Sequence, residues 1–325
     1  MLLFCTVSVS SCSKEIEPEG NSETAISFSS KVGKTKALVN SIVDMYGYGD
    51  NDGFKVYGYY TNDEGNTCNN VFSDEFVKVR SNDGISWTYS PIAYWENDAK
   101  YTFLGFYPSD SEIIINSTDL NSNGQLSNPS FTYSLKSEFR NQPDFLFAKE
   151  YTDSHADQVD LNFNHLLCQV VINVFTESEN QIIKLKKSTL SGFSISGRYT
   201  NFSASQLGSW SSFSGYAAYE ENHNQTLTNK PYCISKSNNS NAYLMIPRTY
   251  DSGIIKLILD CEVSTDDGET YKSVNIQKIF PITEWLPSTI YKYNAEITID
   301  YNIQFSEPTV TPWGTEQTTG SVIIK

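Results

Sequence analysis

The chain is written in short alternations of apolar and polar residues, separated by turn clusters. Residues 54–60 follow Asp50, Asn51, Asp52 and Gly53, and residues 85–89 follow Asn82, Asp83 and Gly84. An Asp-Gly step between alternating segments is a strong hairpin signal, because the tight turn needs positive φ. Residues 101–107 stop at Pro108 and residues 242–246 at Pro247, where a missing N–H ends a ladder. Residues 254–263 alternate through Leu257, Leu259, Cys261 and Val263, turn at Asp266, Asp267 and Gly268, and meet a partner at 271–280. Further strands are predicted at 25–29, 190–197, 291–299 and 321–325, and 159–175 reads as one long apolar strand. Residues 116–129 and 203–241 are rich in Ser and Asn and predict loop-heavy stretches. No long stretch carries a 3.6-residue apolar period. The pattern therefore predicts an all-β protein built from β-sandwiches. At 325 residues the chain is long for one domain. The polar run 151–158 divides it into units 24–160 and 161–325.

Composition strengthens the β reading, since 21 Tyr and 18 Phe suit pleated, half-buried surfaces. The net charge of −15 excludes nucleic acid as a partner, because a phosphate backbone requires clustered Lys and Arg. Residues 1–9 are mostly apolar, with no basic residue ahead of them, and lead into Val9, Ser10, Ser11 and Cys12. Small residues before a Cys resemble a bacterial lipobox. The expectation is a signal peptide over 1–11 and acylation of Cys12. The apolar run is too short to span a bilayer, whereas several acyl chains anchor stably. Residues 12–23 are acidic and broken by Pro18 and Gly20, which predicts a flexible tether at the outer membrane.

Candidate chemistry is sparse. Cys68, Cys168, Cys233 and Cys261 form no CxxC or Cys/His metal pattern. Cys168 and Cys261 share parity with apolar neighbours and predict core thiols; a disulfide of Cys68 or Cys233 stays open. His155, His165 and His223 have no His or Cys at metal-ligand spacing, and His165 predicts a structural, hydrogen-bonded histidine. Residues 50–53 faintly resemble the start of a calcium loop but lack its closing Glu, so a hairpin turn is the better reading. There is no GxSxG, HExxH or P-loop. The expectation is a non-enzyme without cofactor or metal. The dense aromatics Trp87, Tyr89, Tyr94, Trp95, Tyr101, Phe103, Phe106 and Tyr107 could stack on sugars, but core packing is the favoured reading.

Several of these segments together resemble one family. Trp87-Thr88-Tyr89, Tyr94-Trp95 and the aromatic strand 101–107 ending at Pro108 come first. Asp144-Phe145-Leu146-Phe147-Ala148 follows, then Val159, Leu161, Phe163, His165 and Leu167 at alternate positions. Trp285, Pro287, Tyr291 and Tyr293 match the lead-in to a late strand, with Ser288 where Gly is usual, and Thr311-Pro312-Trp313 fits near the end. This order resembles the fimbrillin (Mfa-like) family, type V pilus subunits of Gram-negative, Bacteroidales-type bacteria.

The resemblance implies two transthyretin-like β-sandwich domains in tandem. It implies export as a lipoprotein and assembly with other pilus subunits at the outer membrane, supporting adhesion to a host or bacterial surface ligand. In the family a protease cuts after a basic residue and removes the first strand, and a strand of another subunit fills the groove. The matching site here is Lys36-Ala37, and the expected donor is Val322, Ile323 and Ile324. The alternative is a surface lipoprotein that binds glycan or host ligand and never polymerises.

Overall fold

The computed structural model describes residues 24–32, 45, 52–62, 67–83, 86–116, 121, 124–137, 139–152, 158–203, 205–236, 241–282 and 284–313. Among them the protein is all-β, as the alternation predicts, with helix limited to 3₁₀ turns such as Phe139–Asn141. In chain order the strands are β1 (Phe28–Val32), β2 (Phe54–Thr61), β3 (Asn69–Asn70), β4 (Phe76–Val79), β5 (Lys100–Tyr107), β6 (Ile113–Ile115), β7 (Ser130–Ser134), β8 (Leu146–Thr152) and β9 (Val159–His165). They continue with β10 (Cys168–Phe175), β11 (Ile182–Thr200), β12 (Ser209–Thr226), β13 (Tyr232–Cys233), β14 (Tyr243–Met245), β15 (Lys256–Ser264), β16 (Lys272–Ile279), β17 (Thr289–Ile297), β18 (Ile303–Phe305) and β19 (Thr309–Pro312).

Three sheets result. The first runs β1-β9-β8-β5-β2-β3, with β4 also on β2. The second runs β16-β15-β11-β7-β6, with β12 along β11. The third runs β13-β10-β17-β18, with β14 on β10 and β19 on β17.

The central strands of the first sheet are buried on both faces, which is why their sequences read as nearly continuous apolar runs. On one face Phe54, Val56, Phe103, Leu161 and Phe163 pack beneath Phe72, Tyr89 and Trp95. On the other, Phe106 and Phe147 meet Phe131 and Tyr199 of the second sheet and Phe202 just past β11, with Phe106 and Phe131 edge to face at 4.9 Å. Edge-to-face contact suits the ring quadrupoles and adds to area burial. The second and third sheets enclose Val170, Ile172, Leu185, Leu257, Leu259, Tyr293 and Ala295 in the same core cluster.

Strand β11 joins these regions. Its first half pairs with β15 and its second half with β7, so the second sheet draws strands from both sides of residue 160. The handover falls at Gly192, where φ is +92° and a Cβ would lie 2.1 Å from the Ile254 carbonyl oxygen. Only glycine meets both demands.

Two expectations are corrected. Residues 159–175 form two strands in different sheets, β9 and β10. The turn between them, Leu166-Leu167, is wholly buried and so carries no polar signal in the sequence. Residues 203–241 are not loop-heavy, because β12 fills 18 of them. Among the described residues that strand pairs only with β11 and largely exposes one face, so its Ser-rich composition conceals an alternation of Tyr219, Glu221 and His223 turned inward.

Candidate functional site

The segment 24–32 is short, alternating and free of Pro and Gly, so it can join a sheet along its whole length. It lies between two partners. On one side β1 runs parallel to β9, with Phe28 opposite Val159, Ser30 opposite Leu161 and Val32 opposite Phe163. On the other side the Ile26 N–H donates to the Ala93 carbonyl at 2.9 Å, and the Trp95 N–H donates to the Thr24 carbonyl at 3.0 Å. Two side chains reinforce the ladder: the Tyr89 hydroxyl donates to the Ile26 carbonyl at 2.7 Å, and Gln158 Nε2 to the Phe28 carbonyl at 3.0 Å.

Alternation sends Ile26 and Phe28 inward, each 1% exposed. Phe28 sits among Tyr89, Phe103 and Phe72 at centroid distances of 5.4, 5.7 and 6.4 Å. Burying these two side chains contributes roughly 3–6 kcal/mol by transfer. The inserted segment is therefore part of the core. Its outward residues meet one carboxylate: Ser29 donates to Asp160, and Lys31 Nζ lies 3.6 Å from Asp160 Oδ2. Glu150 on β8 lies close enough that burial, followed by the Asp160 charge, raises its carboxyl pKa.

The other end of the described chain closes on the first sheet. Trp313, just after β19, stacks on His165 at 4.3 Å, and its backbone N–H donates to the Ser288 carbonyl. His165 Nδ1 lies 2.7 Å from Asp144, both buried, which makes it the structural histidine that the sequence predicts. Ser288 adopts φ +52°, the left-handed region where glycine is favoured, and its hydroxyl donates to the His165 carbonyl.

The aromatics offered for sugar stacking are mostly interior. Tyr89, Trp95, Tyr101, Phe103, Phe106 and Tyr107 are buried, Trp87 packs on Phe54, and Tyr94 is exposed. Cys168 and Cys261 are buried thiols, and Cys68 and Cys233 are also unbridged. His223 Nε2 lies 2.8 Å from the Ser188 hydroxyl, with Tyr232 on Nδ1 at 3.4 Å. Burial, then the Lys236 and Arg140 charges, push His223 down to about 4. This resembles a nucleophile–base pair, but Ser188 is only 1% exposed. A polar cleft of about 510 Å³ opens beside Pro108, where Lys136 and Asp110 pair at 3.3 Å. No group of three or more metal-ligating side chains gathers among the described residues.

Cys12, Lys36, Ala37, Val322, Ile323, Ile324 and His155 lie outside the described residues. The structure instead brings forward Ser30, Gln158 and Asp160, which sequence reasoning did not single out. The available signal for Asp160 was its outward parity between Val159 and Leu161.

Comparison with known proteins agrees with this architecture. A family model described as fimbrillin-like matches residues 35–313. A fimbrial protein from Bacteroides vulgatus superposes with a TM-score of 0.62 at 17% identity, covering 88% of this chain and 99% of that one. A candidate cell adhesion protein from Bacteroides ovatus gives 0.52 at 14% identity, covering 91% and 99%. At these identities the likeness is one of fold. No curated protein matches the sequence. The family model spans well over half of the sequence, and the chain belongs to the fimbrillin-like family.

Proposed function

We propose that this chain is a structural subunit of a cell-surface fimbrium that supports adhesion and is assembled by strand exchange. Family membership supports the coarse reading, and one observation carries the finer one: segment 24–32 is a core strand inserted between β9 and residues 93–95. Removing it bares an apolar trough and unpaired backbone groups, the condition for accepting a strand from another subunit. Repeated head to tail, such a contact does not close and gives a filament.

In this reading the signal 1–11 is removed, Cys12 carries the lipid, and 12–23 forms the tether to the outer membrane. The two proposed units are 24–160 and 161–325. Cleavage between Lys36 and Ala37 frees the first strand, and Val322, Ile323 and Ile324 of a neighbour supply the replacement. N-terminal sequencing of assembled material tests this. A start at Ala37 in SDS-resistant ladders is expected; polymers that keep residues 12–36 overturn it.

A further inference from the structure

We propose that Ser30 and Asp160 together govern which strand the groove holds: Ser30 makes the resident strand replaceable, and Asp160 selects a replacement bearing an outward basic residue. This rests on the strand-exchange reading and adds its determinants.

Ser30 stands on the inward row of the segment, after Ile26 and Phe28, and pairs with Leu161. The β9 residues it faces along that row, Val159, Leu161 and Phe163, are all apolar. Its hydroxyl is sealed from solvent and has no hydrogen-bond partner among the described residues. A buried, unpaired hydroxyl costs the resident strand affinity that an apolar side chain would not. The resident strand is therefore anchored by Ile26 and Phe28 and weakened at the next inward position. Such a strand is stable while covalently attached and gives way more readily once it is cut free.

Asp160 works on the opposite face. It is the β9 residue opposite Ser29, and both Ser29 and Lys31 reach it. Glu150 adds a second carboxyl to the same neighbourhood. When the resident strand departs, Lys31 leaves with it and this acidic spot loses its cation. Strand parity fixes what the replacement must present. A strand that turns Val322 and Ile324 inward turns Ile323 and Lys325 outward, and Lys325 is the one basic residue in 314–325. Lys325 thus stands in for Lys31 over Asp160.

Two measurements test this on the mature chain. In the intact protein, hydrogen exchange of the 28–32 amides is compared with that of β15. Ser30→Ala and Ser30→Val should each raise protection of 28–32 by about tenfold, the factor for ~1.4 kcal/mol, leaving β15 unchanged. Protection of 28–32 unchanged from the unaltered chain in both variants overturns the role of Ser30. The chain cleaved between Lys36 and Ala37 is then offered a fluorescent synthetic peptide of residues 314–325. Asp160→Lys should weaken its capture about fivefold, as expected for a partly exposed ion pair turned repulsive, and a peptide with Lys325→Glu should restore it. Capture that ignores both charges overturns the role of Asp160. Failure of the unaltered chain to capture the peptide at all overturns strand exchange itself, a separate outcome.

Discussion

His165 Nδ1 and the Asp144 carboxylate lie 2.7 Å apart with both side chains almost fully buried, where β9 ends and the chain crosses to the third sheet. Asp144 also accepts the Phe145 N–H, and the His165 ring carries Trp313 on its face. One carboxylate thus holds a strand start and, through the imidazole, the last described turn of the chain. Asp144→Ala strips a buried partner from His165 and leaves the Phe145 amide unpaired. A loss on the order of 1–3 kcal/mol is expected, as for leaving buried hydrogen-bonding groups without a partner. Urea unfolding measures it, and a change in Trp313 fluorescence should accompany it.

Phe28 anchors the inserted strand. Phe28→Ala should cost about 3–5 kcal/mol, the usual range for emptying a buried aromatic site. The loss should appear first as exposure of the groove. Binding of a hydrophobic dye at low denaturant, before the main unfolding transition, is the measurement. A single transition with unchanged dye binding would show that the strand is not separable from the rest of the core.

Gly192 is the point at which β11 passes from β15 to β7. With φ at +92° and the Ile254 carbonyl in the place of any Cβ, Gly192→Ala must displace backbone. A cost on the order of 1–3 kcal/mol or more is expected, from strain at such a position. Gly253 also has positive φ, yet a Cβ there meets nothing nearer than 3.9 Å. Gly253→Ala should therefore be the milder change in thermal melting.

His223 supplies a pH test. Its folded value is pushed down to about 4 by burial first and by Lys236 and Arg140 next, below the unfolded value of about 6.5. The unfolded chain then binds the proton more readily between these values. Stability from this group is present above pH 6.5 and is lost as pH falls toward 4. His223 is only partly buried, so the effect is discounted for solvent screening. The difference in melting temperature between His223→Gln and the unaltered chain should narrow from pH 7 to pH 4. A constant difference would place His223 outside the acid response.

The strongest alternations were legible from sequence alone. Leu257, Leu259, Cys261 and Val263 reappear as the inward row of β15, and Tyr291, Tyr293, Ala295 and Ile297 as that of β17. The aromatic strand before Pro108 is β5 almost to the residue. What stayed hidden has physical causes. Leu166 and Leu167 are buried in a turn, so apolar character bridged two strands. Strand β12 has one wet face and several bulges against β11, which erases a clean period of two. Pairing of β7 with the distant β11 joins segments that local patterns cannot relate. At the groove, the inward parity of Ile26 and Phe28 was readable. The single carboxylate that meets Ser29 and Lys31 was not, because which strand lies beside them is a fact of topology. The usual glycine at position 288 finds its explanation in the left-handed backbone of Ser288.

The lengthwise seating of segment 24–32 has a mechanical consequence. A strand whose first half is held by residues 93–95 and whose second half is held by β9, when pulled along its own axis, strains the bonds of each ladder together in shear rather than peeling them one after another. A strand held this way resists tension far better than one pulled sideways. The same seat can therefore withstand a steady axial tug while releasing an occupant that is lifted from one end.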